Sequence, residues 1–299
     1  MSRESSAIEA FASRQRGWGG DAEQYDRWLD EWFTPATNLD GRLWRMQLLQ
    51  ARATTMAFEW ARFNQPRCAG ALIWQLNDAW TGHSWSLIDV HGRPKPSWWA
   101  ARAACRPRSS AFLPGEAGIT VGFANDTRER WNARATIQRI TMSGSQLAEH
   151  SLDVDVAANA VALAPIPVEL MVPGEPASEL LTVEMDGIRG FWFYGKDAWL
   201  SMPTPSLDVK VETTRRGMQL RLRSETLIRE LHLDVARISS SIRAASNLLT
   251  MLPGEERVVE LEGVENLTEK ELRQKLLMPG GISTANECAA GLRPQRPAS

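Results

Sequence analysis

Hydrophobic positions recur along this chain with three different periods, and each period predicts a different element. Over residues 43 to 63 Trp44, Leu48, Ala51 and Phe58 fall on one stripe while Arg45, Arg52, Glu59 and Arg62 lie off it, the spacing of an amphipathic helix packed on a sheet. Asn64-Gln65-Pro66 ends it, because proline lacks the amide proton the ladder needs and drives its predecessor out of helical space. The run Ala69-Gly70-Ala71-Leu72-Ile73-Trp74 is apolar without alternation, which predicts a strand buried on both faces. A second helix is predicted from Ser97 to Cys105, closed by Pro107. Helix, strand, loop, helix is the repeat of an α/β barrel, here only its last part. Residues 1 to 42 hold no sustained period and predict irregular structure, with a break at Pro35.

From residue 108 the period falls to two. Ile119-Val121-Phe123 alternate before Asn125-Asp126, and Ala135-Ile137 before Met142-Ser143-Gly144. Asp186-Gly187 predicts a tight hairpin between Leu180–Met185 and Ile188–Tyr194. Pro203 and Pro205 mark a linker, and the alternation resumes through Leu207-Val209-Val211, Met218-Leu220-Leu222, Leu231-Leu233-Val235 and Val258-Val259-Leu261. Two antiparallel sandwiches satisfy that spacing. The Pro- and Arg-rich end predicts a flexible tail over 291–299.

Composition narrows the classes. A chain of 299 residues with 43% hydrophobic content can build two or three cores. A net charge of −2 with interspersed signs supplies neither a basic face for nucleic acid nor a basic amphipathic helix for a membrane. The first twenty residues hold no apolar signal-type run, and no later run approaches a membrane span. Cys68, Cys105 and Cys288 are odd in number and lack metal spacing, so neither a disulfide framework nor a metal site is expected, and a cytoplasmic location is the default. Tryptophan is the anomaly: of 13, all but Trp131, Trp192 and Trp199 lie before residue 100.

Where the apolar run ends, Gln75, Asn77, Asp78, Trp80, His83 and Trp85 crowd polar donors and indoles together. A sugar fits such a surface, its C–H face lying on an indole and its hydroxyls meeting amides and carboxylates. The residues alone leave open a structural reading as well, since Trp is often core and Asn-Asp is ordinary turn chemistry.

Residues 66 to 107 carry Trp74-Gln75-Leu76-Asn77-Asp78, then Trp80, Ser84-Trp85-Ser86-Leu87-Ile88-Asp89, Gly92-Arg93-Pro94-Lys95-Pro96 and Trp98-Trp99. In that order the string resembles the end of the catalytic barrel of glycoside hydrolase family 2, in its β-mannosidase branch. Later segments resemble the accessory domains of the same branch: Asn125-Asp126-Thr127 with Trp131, Phe191-Trp192-Phe193 running into Lys196-Asp197, Leu252-Pro253-Gly254-Glu255 and Thr284-Ala285-Asn286. The resemblance implies an α/β plus all-β chain: the C-terminal part of a (β/α)8 barrel over 1–107, then immunoglobulin-like β-sandwiches over 108–202 and 203–290. It implies an oligosaccharide with terminal, non-reducing β-D-mannose as the partner, hydrolysed with retention and without a cofactor. It also implies Trp74 as the aromatic floor of the sugar subsite, Asn77 and Asp78 as groups that bond sugar hydroxyls or hold the loop, and Trp80 and Trp85 as pocket walls. Asp89, Arg93 and Lys95 are read as loop stabilisers, and His83 as a loop histidine. Ala79 stands where the branch has Cys, and Thr81-Gly82-His83 where it has Pro-Val-Thr, which leaves the loop geometry open.

Retaining hydrolysis needs two carboxylic groups about 5 Å apart. In this branch they lie in an Asn-Glu and a Ser-Glu-Phe-Gly on earlier barrel strands, and neither motif occurs in place here. Asn286-Glu287 reads as a surface turn, and Glu9, Glu31 and Glu59 as solvated charges. The catalytic pair is therefore expected upstream of residue 1, in a longer chain of which this is the C-terminal part, and these residues alone are expected to be inactive. An exo-β-glucosaminidase of the same family, or a non-catalytic carbohydrate-binding protein, are the competing readings.

Overall fold

The computed structural model describes residues 22–68, 70–82, 84–115, 118–215, 217–278 and 280–289. Ala69, His83, Glu9 and the tail 291–299 lie outside these. The described residues form two compact units. One gathers the residues up to Arg52, Ile73–Ala100 and those from Asp197 on; the other holds Ala53–Leu72 and Ala101–Lys196.

Among the described residues the first third is helical and holds no strand. Helix α1 spans Ala22–Trp32, α2 Leu39–Phe63 and α3 Pro96–Ala104. Helix α1 corrects the expectation of irregular structure through residue 42: Leu29 and the following Phe33 are buried. The strand expected over Ala69 to Trp74 is also corrected. No ladder runs through the described residues there, Leu72 is 102% exposed and Trp74 80% exposed. A strand buried on both faces exists only where neighbours supply its hydrogen bonds, and no other strand precedes residue 108 among those described. The barrel part is thus not seen as a barrel.

In the unit containing residues 101–196, strand β1 (Arg108–Gly115) pairs with β2 (Gly118–Asn125), and β2 with β5 (Ala160–Pro165). The facing sheet has the order β4-β3-β6-β7, from β3 (Trp131–Thr141), β4 (Gln146–Val156), β6 (Glu179–Met185) and β7 (Ile188–Phe193). Alternate residues of both sheets, among them Val121, Phe123, Ile137, Leu181 and Val183, make the core. Trp131, 1% exposed, meets Phe123 edge-on at 6.3 Å, and its Nε1 donates to Asp186 Oδ2 at 2.8 Å. Asp186 and Gly187 both take positive φ, 50° and 74°, the geometry a two-residue hairpin of this twist requires. The C-terminal end of α2 belongs to this unit. Phe63 packs on Ala111 and Ala124, and a Cβ at Gly122 would sit 2.7 Å from its ring, so glycine is needed there. Arg62 is buried, donating to the carbonyls of Ala104 and Pro107 and to Ser109 Oγ and pairing with Asp126 at 2.9 Å.

The other unit is built on β8 (Leu207–Thr214), β9 (Gly217–Ser224), β11 (Arg243–Ala244) and β13 (Glu256–Glu262) in the order β11-β13-β9-β8. Facing it are β10 (Ile228–Leu233), β12 (Leu249–Met251) and β14 (Ile282–Ser283). Val209, Leu220, Leu222, Leu231 and Val259 form its core, and Trp99 of α3 enters the same cluster. Val235, expected to extend β10, instead begins the short helix Val235–Ile238, whose first turn Asp234 caps by accepting from the Arg237 amide. A further helix, Glu269–Leu276, starts in a capping box in which Thr268 and Glu271 satisfy each other's amides.

The N-terminal part of α2 docks on the end of this unit. Trp44 and Leu48 cluster with Leu29, Phe33, Ala285 and Cys288, Trp44 Nε1 donates to Thr284 O at 2.9 Å, and Arg45 donates to Thr34 O at 2.8 Å. The surface-turn expectation for Asn286-Glu287 is corrected for its asparagine. Asn286 is fully buried, donating to the carbonyls of Pro203 (2.9 Å) and Leu227 (2.7 Å) and accepting from the Arg229 amide (2.8 Å). Glu287 remains on the surface.

His232 on β10 lies 5.6 Å from the Trp44 ring. Burial pushes its pKa down to about 4, against an opposing pull from Asp234. The unfolded chain, with an ordinary imidazole near 6.5, then binds more protons than the folded one between these values, so stability falls as pH drops from about 6.5 to about 4. With the partial exposure of the ring allowed for, about 2 kcal/mol should be lost over that window. Urea titrations of wild type and His232→Gln at pH 7 and pH 4.5 check this: the wild type should show the extra loss, and an equal loss in both proteins would refute it.

Candidate functional site

The polar and aromatic stretch after Ile73 folds as a compact loop held by its own backbone. The Leu87 amide donates to Gln75 O and Leu76 O (3.2 and 3.1 Å), Ile88 to Leu76 O (2.9 Å), Asp78 to Ile88 O (3.0 Å) and Lys95 to Leu87 O (2.8 Å). Two isolated bridges, Asn77 with Ile88 and Ile88 with Pro94, align the three passes of chain. At the turn, Asp89 Oδ1 accepts from the His91 and Arg93 amides, both at 2.9 Å, and Oδ2 from Arg93 Nε at 2.7 Å, local bonding typical of aspartate in turns.

A charged cluster lies beneath the loop. Lys95 Nζ is 2.9 Å from Asp78 Oδ2 and donates to Ser86 Oγ (2.7 Å) and Ser84 Oγ (3.1 Å), while Ser86 Oγ donates to Asp78 Oδ2 (2.7 Å). Burial pushes the Asp78 carboxyl up, but hydrogen bonds from Ser84, Lys95 and Ser86 together with the Lys95 charge outweigh it and hold the group below the usual carboxylate range. Asp78 therefore stays ionised and turned inward, and Ser86, fully buried, is closed to any nucleophilic role.

The indoles, in contrast, are exposed. Trp80 is 57% and Trp85 49% exposed, alongside the more exposed Trp74. Of the four residues singled out for sugar binding, Trp74, Asn77 and Trp80 thus reach the surface of one loop and Asp78 lies under it. What this arrangement offers chemically is accessible apolar rings on a hydrogen-bonded loop whose aspartates, Asp78 and Asp89, are each taken up by neighbouring side chains.

Sequence reasoning missed the support of the helix before the loop. Arg52 of α2 donates through Nη1 and Nη2 to both oxygens of Asp197 (2.9 and 2.8 Å) and through Nε to Glu230 (3.1 Å). Arg229 Nη1 completes the cluster at 2.6 Å from Asp197. A bulge in β10 between Ile228 and Leu231, with Glu230 at φ 51°, turns these side chains toward the helix. The arginine was visible in the sequence but its acidic partners, far along the chain, were not. No group of three or more His, Cys, Asp or Glu that could hold a metal occurs among the described residues, and no described helix is long and apolar enough to cross a membrane.

No family model matches the chain. Among curated proteins, β-mannosidase B of Neosartorya fischeri and that of Emericella nidulans are each 33% identical to it over 91 residues, 29% of this chain and 11% of theirs. Among solved structures, β-D-mannosidase from Dictyoglomus thermophilum matches with a TM-score of 0.75 at 20% identity, over 88% of this chain and 31% of that one. The exo-chitosanase CsxA of Amycolatopsis orientalis matches with a TM-score of 0.65 at 16% identity, over 89% and 36%. The chain accordingly spans about a third of the length of these structural neighbours, and at such identities their likeness shows the fold alone.

Proposed function

For a chain whose sequence and fold match the C-terminal portion of β-mannosidase-type enzymes of glycoside hydrolase family 2, we propose a part in removing terminal, non-reducing β-D-mannose from oligosaccharides by two-step retaining hydrolysis. In this reading the described residues supply the sugar-facing loop and two accessory sandwiches. The general acid and the nucleophile are glutamates of earlier barrel strands, upstream of residue 1, and with two carboxylates and water no cofactor is required. Trp74 is the floor of the terminal-sugar subsite, Trp80 its wall, and Asn77 a partner for hydroxyls. Asp78 acts by keeping the loop in shape. The setting belonging to this reading is cytoplasmic, on the odd number and wide spacing of Cys68, Cys105 and Cys288 in the sequence.

The observation that carries the proposal is the loop itself: three accessible indoles on a backbone clamped by the ionised Asp78–Lys95 pair. A stacking ring saves about 1 kcal/mol beyond its buried area. The likeness to an exo-chitosanase favours terminal β-glucosamine as the second reading.

Aryl β-mannoside and aryl β-glucosaminide assays test both, run on these 299 residues and on a longer polypeptide in which barrel strands carrying Asn-Glu and Ser-Glu-Phe-Gly precede them. The longer protein should cleave the mannoside, and Trp74→Ala should lower its kcat/KM by about tenfold. The 299-residue chain should be inert. Turnover by that chain alone would overturn the placing of the carboxylates, and a preference for the glucosaminide would transfer the proposal to the second reading.

A further inference from the structure

The aromatic loop is held on a second side, by a residue that nothing in the hydrolytic chemistry calls for. Gln50 of α2 donates from Nε2 to Trp85 O and to Ser86 O, both at 3.0 Å. These two carbonyls flank the point where the exposed indole of Trp85 gives way to the buried hydroxyl of Ser86, so the glutamine grips the backbone between the sugar-facing surface and the Asp78–Lys95 cluster. The helix cannot drift with the loop. Two residues earlier Leu48 is in the core with Ala285 and Cys288, and two residues later Arg52 is forked onto Asp197 and Glu230.

We propose that Gln50 is a positioning residue for sugar recognition: by tying the Trp85–Ser86 backbone to an anchored helix it fixes the surface formed by Trp74, Trp80 and Trp85. The inference rests on the reading of that loop as a sugar site. Glutamine suits the task because its amide carries two protons, enough to satisfy two carbonyls. Glutamate has the same shape but only acceptors at neutral pH, and would present oxygens to oxygens.

Gln50→Glu is therefore the informative variant, made in the 299-residue chain with Gln50→Lys, which keeps N–H donors, as its rescue. Amide hydrogen exchange followed by mass spectrometry reads the clamp directly. Peptides covering residues 75–89 should exchange about tenfold faster in Gln50→Glu, the effect of losing two modest hydrogen bonds. Peptides from β9 and β13 should be unchanged and show that the variant is folded. Titration with methyl β-D-mannoside, read by tryptophan emission, should then need about tenfold more sugar in Gln50→Glu, with both effects reversed in Gln50→Lys. Unchanged loop exchange overturns the proposal, and so does a loosened loop with an unaltered sugar response. A wild type that answers to neither mannoside nor glucosaminide removes the sugar role of the loop itself, an outcome separate from the exchange result.

Discussion

Asp197→Ala is expected to lower the free energy of unfolding by about 4 kcal/mol. Asp197 is 1% exposed and bonds two arginines at once, Arg52 through both its oxygens and Arg229 through one. Alanine would leave two buried guanidinium groups sharing a single carboxylate, that of Glu230. A buried pair adds little over a well-packed apolar substitute, yet removing one partner is costly because the stranded charge stays desolvated. Burial alone would raise the Asp197 pKa, but Arg229 and Arg52 override it and hold it below the usual range. A carboxyl depressed in the folded state stabilises at every pH above its unfolded value of about 3.9, and the benefit drains away as pH falls through the folded one. Urea unfolding at pH 7 should therefore show the full difference between wild type and variant, and the gap should narrow in strong acid. A difference under about 1 kcal/mol at pH 7 would mean that the cluster is no better than a surface pair.

Asn286→Ala is expected to cost about 3 kcal/mol. Its side-chain amide bonds three backbone groups: the carbonyls of Pro203 and Leu227 and the amide of Arg229. Each buried group left open costs about 1–3 kcal/mol, and the sum falls short of additive as the segment relaxes or admits water. The same urea experiment decides it. Because Arg229 is a member of the Asp197 cluster, the double variant should lose less than the two singles added together.

Much of this architecture was legible because its signals are local. Asp186-Gly187 announced a hairpin because both residues tolerate positive φ, and the period-two runs from Ile119 to Leu261 marked sheets because alternate residues face a core. Helix α1 carried a readable signal too: Tyr25, Trp28, Leu29, Trp32 and Phe33 follow the i, i+3, i+4 pattern, obscured by the charged residues between them. The failure at Ala69 to Trp74 is of another kind. Unbroken apolar sequence states what a segment would bury, and the burial depends on neighbours elsewhere. The arginines of α2 misled in the opposite direction, since Arg45, Arg52 and Arg62 lie off the apolar stripe yet spend their donors on protein carbonyls and carboxylates. Asn286 likewise looked like a turn residue because its partners at 203, 227 and 229 leave no mark in its vicinity. At the candidate site the chemistry-bearing residues were identifiable by type, but which of them face outward was not: the sequence does not distinguish Asn77 from Asp78, whereas Lys95 draws only the latter inward.

The sulfur of Cys288, wholly enclosed among Trp44, Leu48 and Ala285 and with its thiol pushed up to about 12 by burial, is a natural clock for the docking of α2. Thiolate is the reactive form, so a disulfide reagent should modify the exposed Cys105 promptly and reach Cys288 only when the segment after Thr284 lifts away. The slow phase of labelling then measures how often that end of the molecule opens under native conditions.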